Sequence, residues 1–243
     1  MLLAATIVLG WLDFRLRAGR IQGLQRRARV AWMGRIARRI VRLLGLRIAV
    51  RGHIPDRGLI IANHLSYLDI IVMNAVTRCL FVSKAEIADW PIFGRCGSWA
   101  GLVYIDRQRR SDVAEVAVQM RERLEDAVPL VLFPEGTTSS GEAVLPFKPS
   151  LFASVIESGG PVTACAIDYT LPGGSAREDI CYWGGDKMGP HLFRLLGKTD
   201  IRVTLAFGEP TIPCGDRKAI ARELHAQVSS LRAQAVSSAE ATP

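Results

Sequence analysis

The chain lacks most of the signatures by which common chemistries announce themselves. Its five cysteines (Cys79, Cys96, Cys165, Cys181, Cys214) include no CxxC pair and are odd in number. That pattern argues against a disulfide framework and a zinc site and points to a reducing compartment. GxSxG, GxGxxG and HExxH are absent, and Gly197-Lys198-Thr199 has Leu192 where a P-loop needs its first glycine. His53, His191 and His225 have no ligand-like spacing to cysteines, so no metal is expected. His191 is expected to cap or pack a short helix, and His225, beside an inward Leu224, to be solvated. Acidic residues are nearly missing from residues 1–50, where eleven arginines face Asp13 alone, a formal +10, while the remainder sums to −2. Between the arginines, from Arg15 to Arg47, Trp32 is the only aromatic, which argues against nucleic acid as the partner of this charge.

What is present fits a lipid surface better. With 243 residues, 49% of them hydrophobic, the chain can bury a real core, yet a mean hydropathy of +0.19 is high for a protein that stays entirely in water. Residues 1–12 are nearly all apolar but only about 18 Å long as a helix, against the roughly 20 residues that span a bilayer. They are expected to dip into a membrane without crossing it, and to remain in the mature protein because nothing around them resembles a signal peptide. Further on, Ile36, Ala37, Ile40, Val41 and Leu44 share a helical face opposite Arg35, Arg38, Arg39 and Arg42, the pattern of an interfacial helix. Its competitor is a helix packed on its own domain. Residues 23–30, where Arg26 and Arg29 fall on the apolar side, are expected to form a separate turn or a headgroup rim.

From residue 46 the pattern changes to short apolar runs alternating with amphipathic stretches, which predicts an α/β domain over 46–235, a basic membrane-associating segment over 1–45 and a frayed tail over 236–243. Strands are predicted at 46–51, 58–62, 80–83, 102–106, 130–133, 162–168, 180–183 and 201–207. Covering helices are predicted at 111–126 and at 216–233, the latter with Ile220, Leu224, Val228 and Leu231 inward.

Three strand ends carry candidate chemistry. Asn63-His64-Leu65-Ser66-Tyr67-Leu68-Asp69 follows a buried strand. On one continuous helix His64 and Asp69 would lie about 140° apart, so they meet only if His64 precedes the helix and Asp69 sits in its first turn, with Ser66 as N-cap. An aspartate bonded to one imidazole nitrogen leaves the other free as a general base. Phe133-Pro134-Glu135-Gly136-Thr137 ends a second strand, where Gly136 allows a sharp bend that presents amides. Ile105-Asp106-Arg107 ends a third, with an arginine suited to phosphate or carboxylate.

In this order the segments resemble the lysophospholipid acyltransferase family over about residues 46–210: His64 and Asp69, then Lys84, Glu86, Pro91 and Gly94, then Ile105-Asp106-Arg107, then Phe133 to Thr137 and Phe147-Lys148. The resemblance implies a glycerolipid acyltransferase-like mixed sheet flanked by helices, with N-terminal membrane-interfacial helices. It implies that His64 deprotonates an acceptor hydroxyl, that Asp69 orients it, and that the alkoxide attacks an acyl thioester carried by CoA or acyl carrier protein, with no bound cofactor. Lys84, Arg107, Glu135, Gly136, Thr137 and Lys148 are then expected around the head of a lysolipid. Two departures stand out: Thr138 replaces the arginine common after Phe-Pro-Glu-Gly-Thr, and the later strand, beginning Gly160-Pro161-Val162, lacks a second proline. The stretch 133–148, together with Trp183-Gly184-Gly185-Asp186 and Gly189-Pro190-His191, looks more like the lyso-ornithine lipid acyltransferase branch. The acceptor is therefore expected to be a lysophosphatidate or a lyso-ornithine lipid, and the location the cytoplasmic face of a membrane, the inner membrane if bacterial. A lipid-binding protein without catalysis is the reading from another class.

Overall fold

The computed structural model describes residues 25–84, 103–105, 118, 122 and 128–240. Its strands are β1 (Arg47–Arg51), β2 (Leu59–Ala62), β3 (Leu80–Lys84), β4 (Val103–Ile105), β5 (Leu130–Leu132), β6 (Val162–Thr170) and β7 (Arg202–Phe207). Its helices are α1 (Gln25–Leu43), α2 (Leu68–Thr77), α3 (Phe152–Ser158), α4 (Ala176–Asp179), α5 (Met188–Leu196) and α6 (Arg217–Glu240). The strands form one mixed sheet in the order β1-β7-β6-β2-β5-β3-β4, parallel throughout except for the β6–β7 pair. β2 and β5 are buried along their whole length, which is why they read as unbroken apolar runs: a parallel strand covered on both faces has no solvent side to keep polar.

Two apolar layers provide that cover. Phe152 and Val155 of α3 pack with Ile220, Leu224 and Val228 of α6 on one face. Leu68, Val72 and Met73 of α2 and Leu195 of α5 pack on the other, joined by Val41 and Leu44 at the end of α1. The chain leaves β2 into α2 on the second face and leaves β5 towards α3 on the first. Neighbouring strands whose connections diverge in this way open a crevice at their carboxyl ends, the place where open α/β sheets bind ligands.

Several expectations are corrected. Residues 180–183 are not a strand; the amides of Ile180 and Cys181 both bond to the Ala176 carbonyl, closing a turn after α4, and Tyr182 donates to the Leu65 carbonyl (2.8 Å). The apolar run is there because it packs beneath the 64–69 turn, not because it joins a ladder. The C-terminal helix continues to Glu240, so the tail expected from 236 is helical at least that far. From Gln25 on, α1 is one unbroken helix without the expected separate turn. Its Val30, Trp32 and Ala37 are buried, and the helix packs on α2, so part of its apolar side is covered by its own domain while Arg35, Arg39 and Arg42 stay exposed. Contact is close at Gly34, where a Cβ would lie 3.0 Å from Arg78 Cγ and 3.3 Å from the Asn74 carbonyl. Residues 1–12 and most of 111–126 lie outside the described residues; Val118 and Glu122 are helical and exposed.

Candidate active site

The crevice is built from the carboxyl ends of β2 and β5. Asn63 locks the end of β2 to its neighbour by imitating a backbone: its side-chain amide donates to the Ile167 carbonyl (2.9 Å) and its Oδ1 accepts from the Ile167 amide (2.7 Å). His64 follows, its ring stacked 4.1 Å from Phe133 at the end of β5, with 18% of its side chain exposed. Nδ1 lies 2.7 Å from Asp69 Oδ2. The carboxylate is fully buried, and such a charge is tolerable only when hydrogen-bonded on every side. Oδ2 also accepts from the amides of Leu65 (2.7 Å) and Ser66 (3.0 Å), and Oδ1 accepts from the Tyr169 hydroxyl (2.7 Å).

This arrangement differs from the expected cap. Ser66 is not the N-cap: Tyr67 stands there without a side-chain cap bond, and the buried Ser66 Oγ has no hydrogen-bond partner among the described residues. Asp69, in the first turn of α2, reaches back to the amides of Leu65 and Ser66 that precede the helix, at an end where a negative charge is favoured. With the acceptor oxygen of Asp69 on Nδ1, the neutral ring keeps its proton there and its lone pair on Nε2. Among the described residues Nε2 has no protein partner, so it can accept a proton from a bound hydroxyl.

Glu135, expected at the acceptor's head, has both oxygens engaged by backbone. Oε1 accepts from the His64 amide (2.8 Å) and Oε2 from the Leu145 amide (3.2 Å). Burial pushes its carboxyl up to about 7, against the opposing pull of those two amides. Gly136 does adopt a positive φ of 71°, but its own amide is used by the Phe133 carbonyl (3.1 Å). Thr137 is exposed and Thr138 half-buried; the Ser139 amide returns to the His64 carbonyl (2.9 Å), so the loop lies against the His64–Asp69 turn. Lys148 is exposed, its backbone held by the Pro134 carbonyl (2.9 Å). Lys84 ends β3, paired in register with Ile105 of β4, so its backbone reaches the same sheet edge. Glu86, Pro91, Gly94, Asp106 and Arg107 lie outside the described residues.

Residues that the motifs did not flag complete the site. Tyr169 anchors Asp69 from β6. Its neighbour Asp168 points to the opposite face, where Arg232 of α6 meets Asp168 Oδ1 through Nε (3.1 Å) and Nη2 (3.0 Å) and also donates to the Gly141 carbonyl in the loop after Gly136. Arg177 pairs with Glu142 of the same loop and lies 4.7 Å over the Trp183 ring. His191 is buried in a short helix as expected: Nε2 donates to the Cys181 carbonyl (3.1 Å) and Nδ1 accepts from the Tyr67 hydroxyl (2.9 Å). Burial lowers the imidazole and raises the phenol, so both remain neutral and the direction of that bond is fixed. His225 is not solvated; it is half-buried, bonded to the Val144 carbonyl (3.1 Å) and edge-on to Phe147. A polar pair closing the apolar strand β6, Asp168-Tyr169, was the available sequence signal for the first two partners. Among the described residues no three His, Cys, Asp or Glu side chains gather as metal ligands.

A mixed α/β sheet with a His–Asp pair at diverging strand ends defines a class of site, and sequence comparison assigns the family. A family model described as "Acyltransferase" matches residues 47–168, half of the chain, and the chain belongs to that family. It is an acyltransferase of the lysophospholipid type. The lyso-ornithine lipid O-acyltransferase of Brucella abortus is 36% identical over 208 residues, covering 79% of this chain and 78% of that protein. The 1-acyl-sn-glycerol-3-phosphate acyltransferase of Neisseria gonorrhoeae is 43% identical over 115 residues, covering 47% and 45%. The fold is that of the crystal structure of the 1-acyl-sn-glycerophosphate acyltransferase from Thermotoga maritima, with a TM-score of 0.64 at 23% identity over 95% of each chain. The family match takes in His64, Asp69 and Glu135 but stops before Tyr169, His191 and Arg232.

Proposed function

We propose that this protein moves a fatty acyl group from a thioester on acyl carrier protein or CoA to the free hydroxyl of a lyso-ornithine-type lipid. The reading rests chiefly on the 2.7 Å His64–Asp69 pair with Nε2 unengaged among the described residues. In this reaction Nε2 takes the proton of the acceptor hydroxyl as its oxygen attacks the thioester carbonyl carbon. The tetrahedral intermediate collapses with cleavage of the C–S bond, and the imidazolium returns the proton to the departing thiolate. The products are an ester and a free thiol. Asp69 holds the ring and stabilises its positive charge, the role for which a buried, immobile carboxylate is suited.

The choice of acceptor is supported by Thr138 and by charge pairing. Among the described residues the guanidiniums that reach the 136–145 loop, Arg177 and Arg232, are matched by Glu142 and Asp168, and a threonine cannot replace a bidentate arginine at a phosphate. Relatives named for lyso-ornithine lipid also align over more of the chain than those named for 1-acylglycerol-3-phosphate. Lysophosphatidate is the second reading, supported by the 43% identity of the Neisseria protein, with Arg107 and Lys84 as its phosphate contacts. The basic segment, free of acids from residue 14 to 55, supports a location on the cytoplasmic face of a membrane, with membrane lipid as the protein's partner.

The test is acyl transfer by the detergent-purified chain, with acyl carrier protein and CoA thioesters offered in parallel to lyso-ornithine lipid and lysophosphatidate, beside His64→Ala. Transfer to the ornithine lipid that disappears in His64→Ala is expected. Transfer to lysophosphatidate alone would reverse the choice of acceptor. Equal silence of wild type and variant, with lipid still bound, would favour a non-catalytic lipid-binding protein.

A further inference from the structure

Helix α5 presents two faces of opposite use. Its inner face backs the catalytic turn, with His191 and Leu195 buried and His191 bonded to Tyr67, between His64 and Asp69 in the chain. Phe193 lies about 200° round the helix from His191 and is 81% exposed, with Leu196 at 48%. Gly189, Pro190 and Gly197 are exposed beside them, and Arg194 is the only charged residue within the helix. A phenylalanine this open, on a helix whose other side holds two buried residues, is an apolar surface without a partner among the described residues.

The neighbouring surface says what would cover it. Helix α1 shares the same sheet face, through Val41 and Leu44, and ends at Leu43, itself 43% exposed. The Arg47 amide donates to the Ile201 carbonyl (2.9 Å), which draws the chain just after α1 to the chain just after α5. Along α1, Arg35, Arg39 and Arg42 are exposed, and no acidic residue occurs from residue 14 to 55. Lys187 is exposed at the N-cap of α5. An apolar patch on the same side of the sheet as a helix of exposed arginines, which have no acidic partner among the described residues, complements a bilayer carrying anionic lipid, whose acyl region takes the first and whose headgroups take the second.

We propose that the outer face of α5, centred on Phe193 and Leu196, is a membrane-docking surface that acts with the arginines of α1 to seat the protein on an anionic bilayer. Because the inner face of the same helix holds Tyr67, docking there brings the His64–Asp69 turn to within one helix of the lipid from which a lysolipid arrives. This purpose rests on the proposed function, but the binding itself does not.

The experiment is flotation of the full chain with vesicles of phosphatidylcholine containing phosphatidylglycerol, and with phosphatidylcholine alone, comparing wild type, Phe193→Ser/Leu196→Ser and Arg39→Gln/Arg42→Gln. Transfer in detergent micelles and circular dichroism check that each variant is folded. The apolar double variant is expected to lose at least about tenfold in partition on both vesicle types. The arginine variant is expected to lose binding mainly on the anionic vesicles, with a reduced salt dependence. Both are expected to keep wild-type turnover in micelles. Unchanged partition of Phe193→Ser/Leu196→Ser overturns the proposal. Unchanged partition with a shift from dimer to monomer assigns the face to a second copy, and unchanged partition with weaker use of the acyl carrier protein thioester assigns it to the donor; either outcome also overturns it. Inactive wild type with vesicle binding lost only in the variants would sink the catalytic reading and leave the docking surface standing.

Discussion

Adjacent residues at the end of β6 serve two different regions. Tyr169 points to one face of the sheet and holds Asp69, within the segment that carries the imidazole; Asp168 points to the other and holds Arg232, which reaches round to the loop after Gly136. The first region is compact: Asp69 collects four hydrogen bonds, three from within five residues of itself. The second is spread over the chain, with partners 64 and 91 residues from Arg232. The His64–Asp69 pair is thus organised mostly by local chain geometry, and the loop facing it by distant packing. Alternation of side chains along a strand is what allows one strand to support both.

Changes in the first region should separate chemistry from folding. His64→Ala is expected to lower turnover by about 10² to 10⁴ while leaving the melting temperature nearly unchanged, since a positioned base contributes on that order. A melting temperature that collapsed with activity would instead make His64 a structural residue.

In the second region the order of effects should reverse. Arg232→Met strands the Asp168 carboxylate, buried to 8% side-chain exposure, and is expected to cost about 3–5 kcal/mol in denaturant unfolding. Any activity remaining below the new melting transition should show a raised KM for acceptor more than a lowered kcat, because the loop and not the base has been released. An equal loss in both constants would erase the distinction between the regions.

Two changes probe the joints between them. Tyr169→Phe removes one bond to Asp69 and is expected to cost about 1–3 kcal/mol in stability, with kcat falling and the acceptor KM held. Glu135 joins the His64 amide to the Leu145 amide, and its carboxyl is raised to about 7 by burial. Between the ordinary carboxylate range and that value, the folded chain holds a proton that the unfolded chain has released. Stability should therefore fall as pH rises across this window, and Glu135→Gln should flatten the slope in melts taken at successive pH values. A slope kept by the variant would assign it to another group. The smallest effect is expected at Arg177→Ala, a pair with 41% and 67% of its side chains exposed, where stability should move by about 0–1 kcal/mol.

Much of this architecture can be read from residue order alone. The unbroken apolar runs of β2 and β5 require a sheet covered on both sides, the arginine stripe marks α1 as surface, and the His-x4-Asp spacing requires a break before the helix. All of these are short-range constraints, settled by chain geometry and burial of a few neighbouring residues. Where patterning went astray, tertiary contact had the deciding role. Residues 180–183 look like a strand because they are buried, yet their amides bond to Ala176 and Leu65. His225 looks solvated on a polar helix face until the Val144 carbonyl covers it.

The amino-acid sequence by itself determined the fold class, the acyltransferase family and the pairing of His64 with Asp69, because each depends on local spacing or on motifs within one stretch of chain. Only the tertiary structure decided that Asp69 binds the turn before α2 while Ser66 does not cap it, that Glu135 binds backbone, that Tyr169 and Arg232 lie on opposite faces of the sheet, and that Phe193 faces outward. Those outcomes depend on which distant groups come within hydrogen-bonding or packing distance once the sheet has closed, and no spacing along the chain encodes that distance.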